Sequence, residues 1–233
     1  MSDSPGEVIL DVRAIRKSYK LRTETIKVLK GVDLELSRGE VLSIVGPSGV
    51  GKSTLLHVLG ALDRPDDGKV LVNGTDVFSL GNGEIAGFRN TTFGFVFQFH
   101  YLLPELTAIE NVMMPCLIAG MSAAEAAASA RRVLAEEVGL KGRLDHRPRE
   151  LSGGEQQRVA VARALVMRPS VVLADEPSGN LDVECSEALH DLLFTLRRRH
   201  GQSFIIATHN LDLAGKADRV LKLFDGVVRE VKI

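Results

Sequence analysis

Residues 46–54 (GPSGVGKST) constrain this 233-residue chain more than any other stretch, because they fill the template glycine, four residues, glycine, lysine, then serine or threonine. Such a loop works only between a strand and a helix. Residues 40–45 (EVLSIV) read as a short buried strand and residues 54–60 (TLLHVLG) as a helix. Gly46, Gly49 and Gly51 carry no Cβ, so the backbone can curl and aim successive N–H groups at a polyphosphate. The helix that starts near Gly51 adds its positive dipole end. Lys52 supplies a point charge for the β- and γ-phosphates, and the Ser53 hydroxyl a hard oxygen ligand for Mg²⁺. The expectation is a nucleoside triphosphate pocket.

Apolar residues make up 45% and charged residues 25%, ordinary for a globular protein that forms one large domain or two small ones. The net charge of −1 gives no global field toward nucleic acid or anionic lipid, so any such contact would be a local patch. Cys116 and Cys185 lie far apart with no CxxC or histidine-rich company, which argues against a disulfide framework or zinc site and for buried thiols in a reducing compartment. The N-terminal residues show no basic stretch followed by an apolar core, and no apolar run reaches about 18 residues. Work at a membrane would therefore require another chain.

In chain order, residues 7–14 and 32–36 read as strands, and Lys17-Ser18-Tyr19 falls in the link between them. Tyr19 either stacks on an adenine or is a half-buried aromatic; both readings stay open. Residues 68–74 read as a strand running into an Asn73-Gly74 hairpin turn. Phe93, Phe95, Phe97, Phe99 and Tyr101 alternate, which predicts a strand through about Phe97. Gln98 then stands at its end, as a ligand for a metal or attacking water or as an ordinary polar terminus. Residues 99–107 are apolar and interrupted by a proline, and either face a partner or pack on the chain's own core. Ser122 and Glu125 fit a capping box that opens a helix over residues 122–138, with Gly139 as its stop. A mostly helical stretch from about 107 to 144 predicts a helical insertion.

Residues 151–165 (LSGGEQQRVAVARAL) place Ser152, Gly153 and Gly154 before a second helix, a free N-terminus where a phosphate could dock. No lysine-serine pair follows, so this site cannot hold nucleotide and metal unaided. It either closes over a nucleotide held by a second copy, head to tail, or is a helix simply capped by Ser152. Residues 170–175 end an apolar run on Asp175 and Glu176, as in a central parallel strand whose C-terminal end faces the site. Asp175 would hold Mg²⁺ through water, and Glu176 would orient and deprotonate the attacking water. Residues 178–182 are turn-forming and suited to contacts across a dimer. A strand over 203–208 delivers His209, which can donate to a γ-phosphate oxygen or hold glutamate and water in line. The remaining histidines read as structural, residues 197–200 (RRRH) as a solvated helix end, and residues 219–230 as a closing hairpin.

Over essentially its whole length the chain resembles the ATP-binding subunits of ABC transporters. That resemblance implies an α/β P-loop NTPase (RecA-like) fold over residues 1–233, with a parallel sheet core, an N-terminal antiparallel β subdomain and an α-helical subdomain inserted at about 99–165. It implies that Tyr19 stacks on adenine and that Gly46, Pro47, Ser48, Gly49, Val50, Gly51, Lys52, Ser53 and Thr54 form the Walker A loop. Gln98 would be the Q-loop glutamine, residues 151–157 the signature, Asp175 and Glu176 the Walker B pair, residues 180–182 the D-loop and His209 the switch histidine. Here the usual LSGGQ reads LSGGE, with Glu155 in place of glutamine. The implied ligands are ATP and Mg²⁺, the latter held by Ser53, Gln98 and Asp175. FQFHYLLPELTAIENVMMP and HRPRELSGGE resemble most the lipoprotein-releasing branch, with macrolide-export and cell-division branches as the alternative. The implied assembly is a homodimer at the cytoplasmic face of a bacterial inner membrane, bound beneath two membrane subunits of the LolC/LolE type, with no contact to nucleic acid. The ABC-type ATPases that act on nucleic acid need a long coiled coil between phosphate loop and signature, and residues 53–151 carry no sustained heptads.

Overall fold

The computed structural model describes residues 6–21 and 24–232. The expectation of a leaderless N-terminus falls partly on residues 1–5, outside the described residues. In chain order the strands are β1 (Val8–Leu21), β2 (Glu24–Ser37), β3 (Val41–Val45), β4 (Asp67–Val72), β5 (Thr75–Asp76), β6 (Phe93–Phe97), β7 (Val171–Asp175), β8 (Ser203–Thr208), β9 (Arg219–Phe224) and β10 (Val227–Val231). The α-helices are α1 (Lys52–Leu59), α2 (Asn82–Thr92), α3 (Ala108–Ile118), α4 (Ala123–Arg132), α5 (Gly153–Leu165), α6 (Val183–His200) and α7 (Leu211–Gly215). The chain divides into two compact units, one of Met1–Arg89 with Gly201–Ile233 and one of Asn90–His200.

In the first unit an antiparallel sheet runs in the order β2-β1-β4-β5. A parallel group has β3 between β8 and β9, with β10 antiparallel on β9. Every residue of β3 and β8 is buried, as a strand covered on both faces requires. Two tight hairpins close as their sequences predict. Asn73-Gly74 and Asp225-Gly226 all take positive φ, the conformation that a two-residue turn between twisted strands demands.

β1 runs past the expected residue 14, so Lys17, Ser18 and Tyr19 lie inside a strand rather than in a link. The cause is a bulge at Ala14, whose φ is 51 and whose N–H is taken by the Asp33 carboxylate at 2.8 Å. It shifts the register between Val12 and Ile15 and scrambles the alternation that a sequence reading relies on.

In the second unit β6 and β7 pair in parallel, and α5 lies so close to β6 that a Cβ at Gly94 would run into the Ala164 carbonyl. The expected capping box forms: Ser122 accepts from Glu125 N–H at 3.3 Å, and the Glu125 carboxylate accepts from Ser122 N–H at 3.0 Å. The helix does not continue as α to 138. Val133–Glu137 is a single π turn, in which Val138 N–H reaches the Val133 carbonyl. Its Glu137 is bonded to His200 at 2.7 Å and to Arg132 at 3.4 Å. Cys116 is buried and free as expected, but Cys185 is free and only half-buried, which corrects the reading of two buried thiols.

Candidate functional site

The phosphate loop leaves β3 and enters α1 in the first unit. Gly46 lies against the β9 backbone, where a Cβ would come within 2.7 Å of the Leu223 oxygen. Gly51 takes φ 108 and would push a Cβ to 2.6 Å from the Val28 side chain. Only glycine fits either place. No side chain caps α1 and its first turn carries no acid, so its N–H groups face no built-in competitor for an anion. The buried Lys52 curls back, its Nζ donating to the Gly46 carbonyl at 2.8 Å and to the Pro47 carbonyl at 3.4 Å. A cation thus sits within the loop.

Register places His209 beside this loop's origin. Val45 pairs with Thr208, so Gly46 and His209 each leave a parallel strand one residue beyond the same rung. Thr208 Oγ1 accepts from Asn210 N–H at 3.0 Å, and Asn210 caps α7 by accepting from Leu213 N–H at 2.9 Å. His209 is exposed between those anchors.

Tyr19 is 39% exposed and its ring is anchored rather than loose. The phenol donates to Asp63 at 2.7 Å, while Lys17 bonds the other carboxylate oxygen at 2.7 Å and lies 5.0 Å from the ring centre. Burial raises the Tyr19 pKa, helped by the Asp63 bond and opposed by a bond with Thr54 at the end of the phosphate loop. Burial alone would also raise the Asp63 carboxyl; the bonds from Lys17 and Tyr19 outweigh it and hold the pKa below the usual value. Asp63 is a residue that sequence reasoning missed, since nothing in its spacing from Tyr19 marks a pair 44 positions apart.

The second unit repeats the register device. Phe97 pairs with Asp175, so Gln98 and Glu176 emerge from neighbouring strand ends one residue beyond a shared rung. Glu176 takes φ 44, uncommon for a residue with a Cβ, which turns the chain sharply off β7. Gln157, fully buried on α5, donates to the Phe97 carbonyl at 3.1 Å and the Pro177 carbonyl at 2.6 Å. It ties the residue before Gln98 to the residue after Glu176. Its signal in the sequence is a polar side chain on the apolar face that carries Val161 and Ala164, a position that demands hydrogen-bond partners.

Ser152, Gly153 and Gly154 do precede α5, yet its N-terminus is not bare as expected. Ser152 Oγ accepts from Glu155 N–H at 3.2 Å and Glu155 accepts from Ser152 N–H at 2.8 Å, a complete capping box. Arg143 pairs with the same carboxylate at 2.8 Å. That ion pair comes first, and the Ser152 backbone bond second, in holding the Glu155 pKa down. The anion at this helix end is thereby matched by a cation.

The family model for the ABC transporter matches residues 29–179, well over half of the chain. The chain belongs to the ABC transporter family. This ABC chain is 54% identical over 220 residues to the lipoprotein-releasing system ATP-binding protein LolD of Geobacter metallireducens, covering 94% of this chain and 97% of that one. It is 53% identical over 221 residues to LolD of Porphyromonas gingivalis, covering 95% and 99%. Among solved structures it matches the ABC cassette MJ0796 as a dimer in a post-hydrolysis state with ADP and Pi, at TM-score 0.87 and 39% identity over 96% of this chain and 98% of that one. These likenesses bear out the α/β P-loop NTPase fold. Among the described residues no helix is long and apolar enough to cross a membrane.

Proposed function

We propose that this ABC subunit hydrolyses ATP to drive release of lipoproteins from a bacterial inner membrane, as a homodimer held at the cytoplasmic face by two membrane subunits of the LolC/LolE type. One observation carries the ATPase reading: a buried lysine folded onto the carbonyls of a glycine loop whose helix start has neither cap nor acid. Identity above half with LolD proteins along nearly the whole chain supports the lipoprotein reading.

The residues take these roles. Tyr19 stacks on adenine. Residues 46–54 and Lys52 grip the phosphates. The Ser53 hydroxyl, Gln98 amide oxygen and Asp175 carboxylate are hard oxygen donors of the kind Mg²⁺ selects, and they would hold it. Bound there, the ion supplies charge neutralisation on the β- and γ-phosphates. Glu176 orients and deprotonates water, and His209 donates to a γ-phosphate oxygen. Ser152, Gly153 and Gly154 of a second copy close the pocket, a reading supported by the dimeric state of the matched cassette. The Asp63 anchor yields an expected result of its own: Asp63→Asn raises the KM for ATP by about threefold at unchanged kcat, because it loosens base binding alone. Steady-state kinetics in which kcat falls and KM stays would remove Tyr19 and Asp63 from nucleotide binding.

Residues 99–107 supply the docking surface. Phe99 is 61% and Tyr101 65% exposed, with Leu103 beside them, and the loop is held from beneath. Buried Asn111 accepts from Leu103 N–H at 2.8 Å and donates to the carbonyls of Leu103, Leu106 and Thr107. Arg163 donates to the carbonyls of Tyr101 at 2.6 Å and His100 at 2.8 Å. Large apolar groups displayed on so fixed a loop suit a membrane subunit's cytoplasmic face. Replacing Phe99 and Tyr101 together by alanine is expected to cut recovery of membrane subunits with the tagged chain by about tenfold while ATP binding persists. Full co-purification of such a double variant would move the docking surface elsewhere, and partners unrelated to lipoprotein release would overturn the cargo.

A further inference from the structure

Gln98 and Asn180 bind each other twice. Gln98 Nε2 donates to Asn180 Oδ1 at 3.0 Å, and Asn180 Nδ2 donates to the Gln98 main-chain carbonyl at 3.0 Å. The second bond determines the first. A backbone carbonyl only accepts, so Asn180 must turn its NH₂ toward it and leave its oxygen for Gln98. That oxygen only accepts in turn, so the Gln98 side chain must present its NH₂. The Gln98 oxygen, Oε1, is the end of the amide left outside the pair. Gly179 seats the arrangement, because a Cβ there would lie 3.0 Å from Nε2 and 3.2 Å from Cδ.

We propose that Asn180 is a positioning residue which, through this one-way chain of donors and acceptors, presents oxygen rather than nitrogen of Gln98 to the divalent cation. The proposal rests on the reading of Gln98 as a metal ligand. Mg²⁺ takes oxygen, and an amide NH₂ offers it no usable lone pair. Two amide orientations of nearly equal shape therefore differ entirely in competence, and the backbone of Gln98 itself, relayed through Asn180, chooses between them. Outer-shell partners of this kind typically govern metal affinity by an order of magnitude or more.

The test measures Mn²⁺ binding, as a stand-in for Mg²⁺, by electron paramagnetic resonance on the full chain with a non-hydrolysable ATP analogue. Asn180→Ala is expected to weaken Mn²⁺ binding by about tenfold or more, with metal-free nucleotide affinity in EDTA unchanged, a result that general damage to the fold would not give. In a Gln98→Glu background the same substitution should have no effect, since a carboxylate offers oxygen whichever way it turns. Wild-type Mn²⁺ affinity in Asn180→Ala, or an equal loss in the Gln98→Glu background, would overturn the proposal. Gln98→Ala separates the two levels: unchanged Mn²⁺ affinity there means that Gln98 is no ligand at all, whereas a loss there with none in Asn180→Ala retires Asn180 alone.

Discussion

Glu176→Gln is expected to lower ATP turnover by roughly 10²- to 10³-fold while ATP still binds, because the substitution removes the proposed general base and nothing from the phosphate loop. The geometry makes the variant a clean one. Glu176 lies one residue beyond a strand whose register with β6 is set by backbone pairing, and the shape of glutamine suits the same left-handed position no worse than glutamate. The fold around it is tied by Gln157 to Pro177 and Phe97, neither of which changes. Single-turnover hydrolysis and nucleotide-binding measurements on the same preparation separate the two quantities. Undiminished hydrolysis would hand the base's role to another group.

The second large effect concerns the paired subunits. Ser152→Asp keeps an N-cap that α5 accepts, since aspartate caps as well as serine, but adds a negative charge where a partner's γ-phosphate would dock. Loss of roughly 10²-fold in turnover is expected, of the order seen when a developing charge loses its donors. Lys52→Ala should be inactive for a different reason, the missing cation in the loop. Mixed in equal amounts, the two dead variants form hybrids in which one pocket has an intact loop and an intact opposing signature. If single pockets fire alone, about a quarter of wild-type activity returns, because half of randomly paired dimers are hybrids with one good site of two. No recovery at any mixing ratio would mean that each copy works by itself.

What the sequence made legible, and what it did not, divides along physical lines. The phosphate loop, the strand end at Asp175 and the turns at Asn73-Gly74 and Asp225-Gly226 were readable because each needs particular residue types at adjacent positions. Tyr19 lies in a strand where the sequence pattern suggests a link, because one extra residue at Ala14 resets the two-residue period of β1. The π turn at Val133–Glu137 escaped because α and π turns share their residue preferences and differ only in which carbonyl each N–H finds. The run at Ser152 fits an anion site and a cap equally by residue type, and the structure shows the cap in place, with Glu155 and Arg143 completing it. Asp63 and Gln157 act across long stretches of sequence, where spacing carries no information.

Asn111 bears on how a partner would be received. Its four hydrogen bonds hold the main chain of Leu103, Leu106 and Thr107, and Arg163 holds the carbonyls of His100 and Tyr101, so the backbone from residue 100 to 107 is tied down before anything arrives. Association then forfeits little backbone freedom, of which each newly fixed residue would otherwise consume about 1–2 kcal/mol. An amide that no visiting protein ever touches would in this way set how tightly the visitor holds on.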